Sequence, residues 1–101
     1  MNLILIYITN PNKKTAQKIA RHLLKKRLIA CGNIHKTDSL YWWEGKIVEE
    51  GEHILICKTV VKNYDKIKKE VEKIHPYEIP CVIKIEARAN SEYIKWLTEK
   101  V

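Results

Sequence analysis

The sequence predicts an α+β chain of the ferredoxin-like kind: a βαββαβ order plus a C-terminal helix, with an antiparallel sheet carrying its helices on one face. Three observations predict it. The apolar runs at 3–8 (LILIYI) and 53–61 (HILICKTVV) have strand length and no helical stripe. Two lysine-rich stretches carry apolar residues at helical spacing, one after each run. Between the runs, YWWEGKI at 41–47 reads as a hairpin turn joining two extended segments. A length of 101 residues, 46% of them apolar, fits one domain, 1–101, with a modest core.

Residues 3–8 form the first strand. Asn10 is expected to cap the first helix, with Pro11 at its first position. Ala16, Ile19, Ala20, Leu23 and Leu24 then share one stripe as far as about Arg27. The stretch LIACGNIHKTDSLYWW, 28–43, leans toward strand near both ends and is polar in the middle. Gly45 can take positive φ after Glu44, which leaves the turn type open. Ile47 and Val48 resume the extended pattern, and Gly51 in EEGE marks an expected bulge or bend before the 53–61 strand. Asn63 is expected to cap the second helix, striped by Tyr64, Ile67, Val71 and Ile74. Pro76 stops that helix at His75, because the residue before proline avoids helical geometry. HPYEIP is then a stiff loop, CVIKIEA a strand, and Asn90 or Ser91 caps a last helix with Tyr93, Ile94 and Leu97.

Right-handed crossovers place both long helices on one side of the sheet, so the other side should be wet and its strands should alternate. LILIYI and HILIC do not alternate. A second cover is therefore expected, and the simplest is another copy of the chain. Trp42 and Trp43 carry the same message, since neighbours on a strand point to opposite faces. Burying one such ring contributes an upper estimate of about 4–6 kcal/mol, which a hairpin tip has no core of its own to supply.

The net charge of +7 permits anionic partners, although lysines spread along helices form a solvated face. Nucleic acid is disfavoured: there is no RNP1 pattern, and the aromatics sit at a hairpin rather than mid-sheet. Cys31, Cys57 and Cys81 are scattered and odd in number, which points to a reducing compartment and so to the cytoplasm. NLILIYIT is far short of the ~20 residues of a membrane span and lacks the flanks of a signal peptide, so no membrane is expected.

Four stretches, RLIACGNI (27–34), YWWEGKI (41–47), HPYEIP (75–80) and YIKWL (93–97), resemble in order and spacing the CutA divalent-cation-tolerance family, over nearly the whole chain. The resemblance implies a ferredoxin-like subunit of a homotrimer, with hairpin strands reaching onto neighbours. It also implies a cytoplasmic role in the response to copper and other divalent metal ions. By analogy of architecture with PII proteins, the alternative is a signalling or scaffold trimer that binds a small molecule or a partner protein. Three positions depart from the family pattern. Ile8 stands where certain copper-binding members have cysteine, which weakens a copied copper site. Cys81 stands where many have an acidic or small residue, and either replaces a ligand or fills the core. Ala89 and Asn90 replace a glycine.

The leading metal ligand is His75, with Glu78 nearby and Cys31, Cys81 or His35 converging through folding or across subunits; imidazole and thiolate suit copper, held weakly. Tyr41, Trp42, Trp43, Glu44, Lys46 and Tyr77 are the expected assembly and intersubunit-cleft residues. No catalytic residue is expected, because nucleophile-elbow, phosphate-loop and dinucleotide fingerprints are all missing.

Overall fold

The computed structural model of the chain describes residues 2–101. Its elements are β1 (Asn2–Asn10), α1 (Lys13–Lys25), β2 (Cys31–Trp43), β3 (Lys46–Thr59), α2 (Tyr64–Ile74) behind a 3-10 turn at Val61–Asn63, β4 (Val82–Arg88) and α3 (Ser91–Lys100). The strands form one antiparallel sheet in the order β2-β3-β1-β4, which is the ferredoxin-like topology.

Two apolar clusters lie on opposite faces. On the helix side, Ile4, Ile6 and Ile8 of β1 with Leu55 and Cys57 of β3 meet Ala16, Ile19 and Leu23 of α1 and Ile67 and Val71 of α2. Ile8 is fully buried there. On the other face α3 sets Ile94 and Leu97 against Leu3, with Leu5, Ala87 and Tyr93 around them. That cover stops short. Ile85 and Ile83, which pair with Leu5 and Tyr7 on the same face, remain 42% and 49% exposed. The uncovered apolar area foreseen from the two-faced strands therefore exists in the isolated chain.

Several local expectations are corrected. Asn12, not Asn10, caps α1, with its side-chain oxygen accepting from the Thr15 amide at 2.8 Å, and Pro11 lies before the helix. Asn10 is instead buried at the end of β1, where its amide donates to the Ile8 and His53 carbonyls. The helix ends at Lys25, not near Arg27, because Arg27 turns left-handed with φ of 58°. Leu28 and Arg27 amides then bond the Leu23 and Leu24 carbonyls, a Schellman closure with arginine where glycine is commoner. Asn63 makes no side-chain cap bond. Its amide donates to Leu28 O and Thr59 Oγ1, pinning the turn into β2 against the end of β3.

β2 and β3 pair in unbroken register from Cys31↔Lys58 to Trp43↔Lys46, so Gly51 opposes Asp38 with no bulge. The polar middle of 28–43 is strand because its backbone groups are satisfied by β3, whatever its side chains. Both Glu44 (φ 49°) and Gly45 (φ 76°) are left-handed, the pattern of a type I′ turn, whose twist matches that of the strands. β1 stops pairing with β3 at Asn10↔His53. The ladder beyond, from Thr37↔Glu52 to Trp43↔Lys46, is a two-stranded arm roughly 20 Å long.

Candidate functional site, a cleft at the base of the arm

On the open side of the sheet, where the arm leaves it, the loop after α2 folds back over β1 and β3. Thr9, Tyr41, Trp43, Glu52, Pro76, Tyr77, Glu78 and Ile79 enclose a cleft of about 340 Å³. Strand alternation builds one wall: Tyr41 and Trp43 on β2 and Glu52 on β3 face the same side as Thr9, as the cross-strand pairs Tyr41↔Val48, Thr37↔Glu52 and Thr9↔Ile54 require. The opposite wall is the His75–Pro80 loop.

His75 holds that loop. The backbone amide of Tyr77 donates to its Nδ1 at 3.1 Å, so the ring proton sits on Nε2, which donates to the Thr9 carbonyl at 2.8 Å. His75 is 8% exposed as a residue, and burial lowers its pKa against the opposing pull of Thr9 and Glu52. It is therefore neutral, with both nitrogens in use. The Tyr77 ring stacks obliquely on His75 at 4.8 Å, and its hydroxyl donates to Glu52. Tyr41 donates to Glu50 in the same way. Burial together with the Glu52 carboxylate pushes the Tyr77 phenol well above its ordinary value, and the Glu50 hydrogen bond raises Tyr41 to about 12. Both tyrosines are neutral donors at any physiological pH.

Of the expected metal ligands, His75, Glu78 and Cys81 gather around Thr9, the last through a thiol contact to Thr9, while burial raises the thiol's pKa. Cys31 is elsewhere: it opposes Lys58 at the far end of β3 and neighbours Cys57, whose buried thiol is raised to about 12. His35 opposes Ile54 on the open face. Among the described residues no group of three or more His, Cys, Asp or Glu side chains is placed to hold a metal ion. Of the expected cleft residues, Tyr41, Trp43 and Tyr77 line the cavity with Glu78. Glu44 and Lys46 sit at the arm's tip. Trp42 lies on the reverse side with Leu40 and Ile47, and these three are 72%, 65% and 65% exposed.

The sequence reading missed Thr9 and Glu52. Glu52 was hidden by the expected bend at Gly51. With the alternation continued back from Ile54 through Glu52 to Glu50, it falls on the face of Tyr41 and Trp43.

The ferredoxin-like fold of this chain is shared with solved structures at high similarity. Residues 4–100 match the family described as CutA1 divalent ion tolerance protein. The divalent-cation tolerance protein CutA of Pyrococcus horikoshii is 40% identical over 99 residues, covering 97% of each chain, and that of Thermotoga maritima is 42% identical over 100 residues, covering 98% of this chain and 99% of its own. The solved structure of the Archaeoglobus fulgidus protein, described as a periplasmic divalent cation tolerance protein CutA, superposes with a TM-score of 0.95 at 38% identity, covering 97% of both chains. The Pyrococcus horikoshii CutA1 structure gives 0.93 at 40% identity and 96% of both. This chain belongs to the CutA divalent-cation tolerance family.

Proposed function

We propose that the chain works as a homotrimer in the cytoplasmic response to divalent cations, holding a cation, copper before others, weakly where subunits meet. The observation that carries this reading is the uncovered sheet face: Ile83 and Ile85 lie beside Tyr7 and Ile56, are about half exposed, and belong to neither apolar cluster of the described residues. A second copy is the simplest cover, and the exposed Leu40, Trp42 and Ile47 of the arm supply a matching apolar surface. The cation is assigned to the junction between subunits because a single chain gathers no ligand set among its described residues. Glu78 and Cys81 are the groups there with capacity to spare, whereas His75 binds only by giving up Thr9 or Tyr77. Thiol and imidazole donors favour copper over harder ions. Three free cysteines suit the reducing cytoplasm. No catalytic step is proposed.

Titration with copper and with zinc, following stoichiometry per chain in the assembled protein, tests this. Saturable binding that weakens in His75→Ala and in Cys81→Ser supports it. Unchanged binding in both variants removes those residues from the site, and no saturable binding removes the cation altogether.

A second reading, a signalling or scaffold trimer taking a small molecule, is favoured by one observation. The arm-base cleft is already formed, and three aromatic rings line it.

A further inference from the structure

The lining of the arm-base cleft has a one-sided chemistry. It contains two carboxylates, Glu52 and Glu78, three aromatic rings, Tyr41, Trp43 and Tyr77, and no lysine, arginine or histidine. Glu52 is 5% exposed, yet the ion pairs of the described residues all converge on Glu70 on the helix side, and Glu52 has none. A buried carboxylate without a cation is costly, and the Tyr77 hydroxyl alone offsets that cost in part. The rings present π faces whose negative quadrupole attracts cations. Tyr77 is held in place by its stack on His75 and its bond to Glu52, so the cage is formed before any ligand arrives.

We propose that this cleft binds a small organic cation, an ammonium carried on a compact apolar body, with its charge facing Glu52 and its alkyl groups against Trp43 and Tyr41. A bare divalent ion gains little from three aromatic walls, because it demands several oxygen, nitrogen or sulfur donors. An alkylammonium uses both the carboxylate and the rings. The inference concerns the cleft of one subunit, deepens the small-molecule reading, and does not depend on copper binding.

The test is a pair of isosteres, choline and its uncharged analogue 3,3-dimethylbutan-1-ol, titrated into the assembled protein. Indole N–H resonances of the three tryptophans report binding. Choline should saturate with the Trp43 signal moving most, and the neutral alcohol should bind at least about tenfold more weakly. Glu52→Gln keeps an acceptor for Tyr77 but removes the charge, and should weaken choline about tenfold or more while leaving the alcohol unchanged. Trp43→Leu should weaken choline several-fold, and Trp96→Leu, on α3 and outside the cleft lining, should not. Equal binding of the two isosteres, full choline affinity in Glu52→Gln, or no saturable shift with choline would each overturn the proposal. Failure of copper titration with retained choline binding would sink the metal reading and leave this one standing.

Discussion

The two faces of the sheet differ in how they are finished. Beneath α1 and α2, Ile4, Ile6 and Ile8 are at zero exposure and every neighbour is supplied by the same chain. On the reverse face α3 seals only the end near Leu3, and the surface from Ile85 and Ile83 across to the arm is left open. One face is a core complete in itself. The other is apolar in composition and incomplete in packing, and it also carries the cleft. Stability of the single chain therefore resides in the helix side, and the association and ligand chemistry proposed above are assigned to the open side and the arm.

The sharpest break of this contrast is a truncation on the helix side. Leu23→Ala removes a fully buried side chain of α1 and should cost about 2–5 kcal/mol in chemical denaturation. If it cost no more than an open-face truncation such as Ile83→Ala in the dissociated chain, the division of labour would be wrong. Gly32→Ala adds the smallest possible volume to the same core. A Cβ there would sit 3.0 Å from the Leu55 side chain and 3.5 Å from Ala20, so a loss of about 1–3 kcal/mol is expected unless Leu55 changes rotamer, which a crystal structure of the variant would reveal.

A smaller effect comes from pH. Burial holds the His75 imidazole neutral in the fold, with its pKa below the ordinary 6.5. The unfolded chain then binds the extra proton first, so stability should fall as pH drops below about 6.5 and continue to fall until the folded pKa is reached. Glu70 is separable. The Lys26 and His22 contacts lower its carboxyl to about 2, so its contribution is complete above the ordinary 4.5 and is lost only between 4.5 and 2. Denaturation midpoints at pH 7.5 and 5.5 should differ in the native chain and converge in His75→Gln. An equal difference in both would assign the pH effect elsewhere.

The smallest stability effect is expected at Trp42. With 72% of its surface exposed, Trp42→Ser should change the stability of the dissociated chain by no more than about 0.5 kcal/mol while weakening self-association. A large loss in the dissociated chain would mean that the ring packs within its own subunit.

Element order and both helix stripes could be read from the sequence because hydrophobic period reports burial directly. The incomplete face was legible for the same reason: LILIYI and HILIC carry apolar residues on both sides of a strand. Boundaries set by tertiary partners were less visible. Asn10 looked like a cap because a polar residue before proline usually is one, and only the opposing His53 carbonyl explains why it is buried instead. Gly51 looked like a bulge because glycine often marks one, yet pairing with Asp38 absorbs it. In the cleft, the aromatic and His-Pro-Tyr residues stood out by type. Glu52 and Thr9 did not, because their roles come from a register that local pattern does not specify.

The central claim, that the open face is finished by further copies of the chain, is tested most directly by sedimentation velocity of the native protein beside the double variant Ile83→Lys/Ile85→Lys. The account predicts a trimer for the native chain at micromolar concentration and a folded monomer for the variant, with α1 and α2 intact by circular dichroism. A native chain that sediments as a stable monomer, or a variant that stays trimeric, would contradict it.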